Sequence, residues 1–291
     1  MADRRCLLAV HAHPDDESSK GPATVARYHD QGVHTVLVCC TGGEEGDILN
    51  PAMDRPEVKE NMAEYRMKEL AAATAIIGYD EVVMLGYRDS GMPGSEANAN
   101  PESFAMAPLD EAVGRLVAII RRVRPQVIVT YPDEQTRYPH PDHLRVHEIS
   151  VLAFDAAADP DAYPEAGPTY APAKMYYTVW SVARMKAMHL KFVELGLESP
   201  FSDERVQRML EGAEPKFSTA IDITGYDDIR AEALKAHATQ VDPNSRMWFG
   251  LPPEVQKALP TSEDYQLARS RVGPVDITGE DDLFAGIPAA G

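Results

Sequence analysis

The 291-residue chain is 44% hydrophobic and 25% charged, proportions that are typical of folded globular proteins and exclude disorder over most of its length. Its 46 acidic and 28 basic residues give a formal net charge of −18, so its surface repels nucleic acid and anionic membranes. We therefore expect neither of them as a partner.

Cysteine usage and hydropathy indicate the compartment. Cys6, Cys39 and Cys40 lie in apolar runs near the N-terminus, which is typical of buried reduced thiols and not of a disulfide framework. No apolar stretch is long enough to cross a bilayer, and charges and histidines stand where a secretory signal needs an apolar region. We expect a cytoplasmic protein.

The first half of the chain alternates short apolar runs with helix-length segments. Strands are predicted at 6–10, 33–40, 81–85 and 126–131, and helices at 56–78 and 109–123. Because the first two strands are continuously apolar, both faces of their sheet should be covered by helices. The pattern predicts an α/β protein with a Rossmann-like, doubly wound, mostly parallel sheet.

The second half is expected to be a smaller, mostly helical portion. After a Pro-rich segment near residue 160, the sequence predicts a strand at 174–179 and helices at 182–195, 227–240 and 262–272. The tail from Gly273, with its acidic pair at 281–282, is expected to be a solvated or mobile arm. We expect residues 1–160 to form the catalytic domain and residues 161–291 an extension that completes the substrate pocket.

Two clusters of chemically active side chains follow predicted strands. The first is HAHPDDE at 11–17, where His13 and Asp16 have the spacing to converge on one metal ion. The alternative interpretation is that Asp15 or Asp16 caps the next helix and that the histidines are ordinary core residues. In open parallel sheets ligands bind beyond the carboxyl ends of the strands, where the long segments 41–57 and 86–108 also lie.

The second cluster, YPHPDH at 138–143, reaches the same edge from a distant part of the chain. His140, His143 or His147 could supply the third ligand of a site with two histidines and one aspartate. Such a site leaves a position open for water, as catalytic zinc centres do, although the same donors also suit ferrous iron. His147 has an equally simple interpretation as a polar helix residue.

Together these motifs resemble the zinc-dependent LmbE-like (PIG-L type) N-deacetylase family. The resemblance also uses the Gly-Glu loop at 43–44, Arg66-x-x-Glu69 and the Asp89-Ser90-Gly91 loop. It covers nearly the whole chain and is strongest with the mycothiol S-conjugate amidases, through the segments 17–21, 41–54, 236–243 and 281–286.

The resemblance implies a role for individual residues. It implies one zinc ion per chain, and the ligands that it implies are His13, Asp16 and His143. It implies that Asp15 is the general base. It also implies that a charged His140, which Asp142 orients, and Tyr138 lie next to the carbonyl group of the substrate. The implied substrate-binding residues are Lys20, Glu44, Arg66, Asp89 and, at the rim of the pocket, His237.

The expected activity is hydrolysis of the amide of a mycothiol S-conjugate, a small amino-sugar thiol conjugate, to a mercapturic acid and glucosaminyl-inositol. The alternatives are deacetylation of N-acetylglucosaminyl-inositol and a non-catalytic member that binds a sugar or thiol conjugate. Lys20 and the segment 47–54 favour the amidase, whereas Glu45 stands where these amidases usually have Arg. Without the resemblance, Arg66 and Glu69 have the spacing of a simple surface ion pair. The oligomeric state stays open.

Overall fold

A seven-stranded sheet with helices on both faces organises the protein. The structure, a computed structural model, describes residues 4–133, 139–201, 204, 208 and 217–288. Its strands are β1 (Cys6–His11), β2 (His34–Thr41), β3 (Glu81–Tyr87), β4 (Val127–Thr130), β5 (Lys174–Val179), β6 (Thr219–Asp222) and β7 (Ser262–Ser270). Its helices are α1 (Asp16–Ser19), α2 (Pro22–Asp30), α3 (Pro56–Glu60), α4 (Met62–Ile77), α5 (Leu109–Val123), α6 (Pro141–Ala156), α7 (Val182–Glu194), α8 (Ile229–Ala236), α9 (Arg246–Phe249) and α10 (Pro253–Gln256).

The strand order is β3-β2-β1-β4-β5-β7-β6, and the first five strands are parallel. Alternate residues of β1 enter different cores. Leu8 packs in one core with α5 and α6, whereas Leu7 packs in the other with α2, α4 and α8. Burial on both faces explains why β1 is continuously apolar. The predicted Rossmann-like, mostly parallel sheet is confirmed.

The predicted helix at 262–272 is wrong. Those residues form β7, which runs antiparallel between β5 and β6. Glu263, Tyr265 and Leu267 are buried and alternate with more exposed neighbours, which is the two-residue period of a half-buried strand. The second half of the chain therefore contributes three strands to the sheet in addition to its helices, and the sheet continues across residue 160.

The prediction of a mobile acidic tail is also wrong. Leu283 and Phe284 are buried in the core that contains Tyr28 of α2. The Tyr28 hydroxyl donates to Asp282 Oδ1 over 2.8 Å and accepts from the Leu283 N–H over 2.7 Å. Glu280 accepts a hydrogen bond from Lys174 of β5. The segment is thus fastened to the sheet.

Other predictions differ from the structure only in detail. The segment 56–78 divides into α3 and α4 at Asn61, and α8 ends before His237. Cys6, Cys39 and Cys40 are buried free thiols, as expected. In the described ranges, the helices are too short or too polar to cross a membrane.

The Pro-rich segment after α6 is held by one buried arginine of α5. The Arg121 guanidinium donates to backbone carbonyl groups of this segment, namely those of Ala156, Ala157, Asp159, Ala162, Tyr163 and Gly167. Only 4% of Arg121 is exposed. One side chain therefore satisfies acceptors that the irregular backbone leaves unpaired.

Replacing Arg121 by Met should lower the free energy of unfolding by about 3 kcal/mol, because buried carbonyl groups would lose a charged donor. The control is Arg122→Met, since Arg122 is half-exposed and pairs with Glu81. It should cost less than about 1 kcal/mol. Urea denaturation of both variants measures the difference, and equal losses would contradict the assigned role of Arg121.

Candidate metal centre and catalytic cleft

The loop that follows β1 turns its carboxylates toward the carboxyl edge of the sheet. Asp15 has a φ of 114°, a left-handed conformation that costs energy for a residue with a side chain. The Asp16 carboxylate accepts a hydrogen bond from the backbone N–H of His13 over 3.0 Å. Within the described residues, the Asp15 side chain makes no capping hydrogen bond to α1. The helix-capping alternative is therefore not what the structure shows.

His13, Asp16 and His143 form a buried group that could hold a metal ion. One donor atom from each lies within 4.8 Å of the others. Asp16 Oδ2 is 3.5 Å from His13 Nδ1 and 3.3 Å from His143 Nε2. His13 and Asp16 come from the loop after β1, and His143 comes from the first turn of α6. The two sequence clusters do meet at one place.

Two further side chains hold Asp16. Tyr131, just beyond β4, donates its hydroxyl to Asp16 Oδ2 over 2.6 Å and stacks on the His143 ring. Lys20 contacts Asp16 Oδ1. Burial by itself would raise the pKa of Asp16, but Lys20 and His143 hold that pKa well below its usual value. Asp16 is thus kept as an anion.

Asp142 orients His13. Its Oδ2 lies 3.1 Å from His13 Nε2, and it also accepts hydrogen bonds from the Ser90 hydroxyl and from the Ser90 N–H. A carboxylate can only accept, so His13 Nε2 is the donor and Nδ1 faces Asp16. Burial opposes protonation of His13, but Asp142, Asp16 and Asp89 raise its pKa well above the usual value. This position favours positive charge, which a metal cation would supply.

His140 is the N-cap residue of α6. Its Nδ1 accepts from the Asp142 backbone N–H over 3.2 Å, which leaves the ring proton on Nε2. Burial, together with nearby His13, lowers the pKa of His140 to about 4. This shift favours a neutral His140 near pH 7, and the charged His140 that the resemblance implies stays a prediction. The Asp142 carboxylate is directed at His13 and Ser90, so Asp142 contacts His140 through its backbone.

The other two candidates of the second cluster lie elsewhere. His147 Nδ1 is 3.0 Å from the Tyr131 backbone oxygen, so this ring helps to fix the end of β4 instead of joining the buried group. Tyr138 lies outside the described residues, as do residues 134–137. Its role remains a prediction.

A cleft of about 350 Å³ lies over the buried group, and Asp15, Lys20, Arg66 and Asp89 are among the residues that line it. Arg66 is 2% exposed and donates to Asp15 Oδ2 over 3.0 Å and to the Gly43 carbonyl over 2.6 Å. The alternative interpretation, a surface ion pair between Arg66 and Glu69, is therefore wrong. Glu69 instead accepts hydrogen bonds from Thr239.

Two acidic residues of the loop after β2 support the cleft. Glu44 accepts the Asp89 backbone N–H over 3.0 Å and so positions the Asp89 loop. Glu45 forms an ion pair with Arg88. The negative charge at position 45 is thus neutralised by a neighbouring side chain that the sequence motif did not indicate.

His237 does not reach the rim of the cleft. It is fully buried, and its Nε2 lies 2.6 Å from Glu17 Oε1. Glu17 Oε2 in turn accepts the Asp15 backbone N–H over 2.8 Å. Through Glu17, His237 therefore supports the loop that carries Asp15.

Sequence reasoning missed Tyr131, Ser90 and Glu17 as parts of the site. Tyr131 ends the predicted strand at the same edge as the metal-binding motifs, which was a usable signal. Glu17 belongs to the HPDDE motif itself. Ser90 belongs to the Asp89-Ser90-Gly91 motif, but that motif did not indicate its contact with Asp142, which only the folded loop shows.

The fold and this site define a class of α/β proteins in which histidines and carboxylates cluster at the carboxyl edge of a parallel sheet. The chain belongs to the PIG-L (GlcNAc-PI de-N-acetylase) family, whose sequence profile matches residues 8–154. This confirms the resemblance that the motifs indicated.

Individual relatives match almost the whole chain. It is 46% identical to mycothiol S-conjugate amidase of Streptomyces coelicolor, over 99% of both chains. It is 42% identical to the 1D-myo-inositol 2-acetamido-2-deoxy-alpha-D-glucopyranoside deacetylase of Streptomyces avermitilis, over 99% of this chain and 98% of the relative. The structure of N,N'-diacetylchitobiose deacetylase from Pyrococcus horikoshii superposes with a TM-score of 0.62 at 17% identity, covering 91% of this chain and 84% of that one.

Replacing Asp142 by Asn should weaken zinc binding roughly 10- to 100-fold, because the hydrogen bond that orients His13 would be lost or reversed. The control is Glu148→Gln on the same helix, where the carboxylate is exposed. Competition with a fluorescent zinc chelator measures both affinities. Unchanged affinity of the Asp142→Asn protein would contradict the orienting role.

Proposed function

We propose that this protein is a zinc-dependent amidase that hydrolyses mycothiol S-conjugates to an S-substituted N-acetylcysteine and glucosaminyl-inositol. The observation that carries the chemistry is the buried group of His13, Asp16 and His143 with Asp15 beside it. The substrate class is supported by the 46% identity to mycothiol S-conjugate amidase of Streptomyces coelicolor. Buried free cysteines support a cytoplasmic location.

The donor set fits zinc. Two histidines and one carboxylate leave a coordination position open, as in catalytic zinc sites, and the Asp142–His13 hydrogen bond is the outer contact that such ligands usually have. The same donors would also accept ferrous iron. When bound, zinc polarises a carbonyl group and lowers the pKa of water to about 7.

Asp15 is placed to act as the general base. Its side chain is 30% exposed, whereas that of the neighbouring Asp16 is 5% exposed, so Asp15 faces the cleft. Burial raises the pKa of Asp15 although Arg66 opposes this, and a raised pKa improves a carboxylate base. Asp15 would take the proton of the attacking water as the water oxygen bonds to the carbonyl carbon.

His140 is placed to stabilise the negative charge that develops on the carbonyl oxygen. Its neutral ring carries the proton on Nε2 and lines the cleft, so it can donate one hydrogen bond. We assign the same task to the hydroxyl of Tyr138. A donor of this kind contributes roughly 100- to 1000-fold to the rate. The C–N bond then breaks, and the departing nitrogen takes the proton that Asp15 accepted from the water.

The sugar is assigned to the part of the cleft beside the loops after β2 and β3. Asp89 is a polar partner for its hydroxyl groups, while Glu44 and Arg66 hold the loops that shape this wall. Lys20 lines the cleft next to Asp16. Gln240, Val241 and Trp248 of the second half of the chain also line the cleft. This supports the proposal that residues 161–291 complete the pocket that residues 1–160 begin.

The second candidate is deacetylation of N-acetylglucosaminyl-inositol, which the 42% identity to the Streptomyces avermitilis deacetylase supports. Both reactions hydrolyse an amide on the same sugar nitrogen. Lys20 and the segment 47–54 favour the amidase.

The purified protein should be incubated with the bimane conjugate of mycothiol and with N-acetylglucosaminyl-inositol, with and without a chelator. We expect chelator-sensitive release of the bimane mercapturate. Faster release of acetate would favour the deacetylase, and no product from either compound would indicate a member that only binds its ligand.

Two substitutions should separate metal binding from catalysis. Asp15→Ala should keep zinc and lose about 100- to 10,000-fold in kcat, because it removes only the base. His143→Ala should lose the metal, because a ligand is missing. Metal content and turnover of each variant are the measurements. Normal turnover of the Asp15→Ala protein would show that another group is the base.

Glu17→Ala should lower kcat by up to about 100-fold at unchanged zinc content, because Asp15 would lose the contact that holds its backbone. Glu64→Ala is the control, since Glu64 is exposed on α4 and contacts Lys68. Circular dichroism checks that both variants fold. A folded Glu17→Ala protein with normal kcat would contradict the positioning role.

A further inference from the structure

A second cavity adjoins the cleft and has no role in the chemistry described so far. This side cavity has a volume of about 80 Å³ and lies between α1, α7, α8 and β7. Ser19, Lys20, Leu234 and Trp248 line both the side cavity and the cleft, so these residues form the boundary between them. The side cavity therefore lies directly next to the part of the cleft that these residues line.

Part of the wall of the side cavity is apolar and adaptable, although charged and polar residues also line the cavity. Trp180 and Trp248 meet edge to face with ring centroids 5.8 Å apart, and Met188 and Met247 lie beside them. Indole rings and flexible thioethers are the side chains that accept apolar groups of varied shape. The occupant should be an apolar group.

The charged groups at the cavity are already engaged. Arg230 pairs with Glu263 over 2.6 Å and also contacts the Ser19 carbonyl. Arg184 donates to the carbonyl groups of Pro260 and Ser262. Because these guanidinium groups have partners within the protein, the cavity does not require an anionic ligand.

The sheet order places the side cavity opposite the sugar side of the cleft. Glu44 and Asp89 follow β2 and β3, which lie on one side of β1. Trp180 follows β5 and the cavity wall includes β7, both of which lie on the other side of β1. An amide held at the buried group has its sugar on one side and its acyl group on the other. Because the sugar is assigned to the side of β2 and β3, the side cavity lies on the side left for the acyl group.

The size of the acyl group decides whether this space is used. An acetyl group is short, whereas an S-substituted N-acetylcysteinyl group is several atoms longer and would extend toward the residues that the cleft shares with the side cavity. A cavity of about 150 Å³ can hold benzene, so a cavity of about 80 Å³ suits a short alkyl group. We propose that the side cavity binds the apolar S-substituent of the conjugate, an inference that rests on the proposed amidase function.

The test compares S-methyl and S-butyl conjugates of mycothiol with N-acetylglucosaminyl-inositol. The wild-type protein should prefer the S-butyl over the S-methyl conjugate by about tenfold or more in kcat/KM, since each buried methylene contributes to binding. Ala231→Phe fills the cavity from α8 and should abolish this preference, while its activity on N-acetylglucosaminyl-inositol stays within about twofold.

Two further variants complete the test, a matched control and an enlargement of the cavity. Ala72→Phe places the same side chain on the exposed face of α4 and should leave all three activities unchanged. Met188→Ala enlarges the cavity and should shift the preference from S-butyl toward S-hexyl conjugates. Retention of the S-butyl preference in folded Ala231→Phe protein, together with no shift in Met188→Ala, would overturn the proposed subsite.

Calorimetric binding of S-butyl-N-acetylcysteine separates this inference from the proposed function. If the wild-type protein hydrolyses the conjugates but Ala231→Phe neither loses the preference nor binds this compound more weakly, the subsite is wrong and the amidase stands. If the wild-type protein hydrolyses no conjugate but binds S-butyl-N-acetylcysteine in a way that Ala231→Phe abolishes, the amidase is wrong and the apolar subsite stands.

Discussion

The site depends on the pairing of β1 with β4, two strands that are distant in sequence. Leu8 and Ile128 are partners in this parallel pair, so the chain leaves both strands at adjacent points of one edge. The loop after β1 brings His13 and Asp16, and the segment after β4 leads to His143. Because the strands are buried on both faces and packed rigidly, their pairing fixes adjacent starting points for the two segments that carry these side chains.

Burial then requires that each charge at this edge has a partner. A carboxylate or an imidazolium in a low-dielectric interior is costly unless hydrogen bonds and opposite charges compensate it. Asp16 is held by Tyr131 and Lys20, and Asp142 by Ser90 and His13. The same contacts fix the direction of each donor atom, so compensation of charge and preorganisation of the ligands have one structural cause.

The sequence predicted the parallel half of the fold and the meeting of its two motifs because both depend on local patterns. Continuous apolar runs indicate strands that are covered on both faces, and strand direction places their following residues at one edge. The same logic failed for β7, whose alternating pattern was interpreted as a helix, and for the tail, where Leu283 and Phe284 are buried in a cluster with Tyr28 and other residues from distant parts of the chain. Their environment comes from distant parts of the chain.

Side-chain roles were harder to predict than side-chain positions. Motif position placed Arg66 and His237 near the site, but the structure shows Arg66 bound to Gly43 and Asp15, and His237 beneath the loop on Glu17. Asp142 likewise belongs to the site but faces His13 with its carboxylate. Spacing along a chain indicates which residues approach a site, whereas the direction of each side chain depends on neighbours that only the tertiary structure supplies.

The position of β7 has a consequence for synthesis on the ribosome. β7 lies between β5 and β6 but follows both of them in sequence, so the nascent chain exposes the free edge of β5 until Ser262–Ser270 has emerged. An exposed strand edge is a template for unwanted pairing. The motifs that carry the chemistry are translated long before this edge is closed, so chaperone contact during late translation would protect a nearly finished active site.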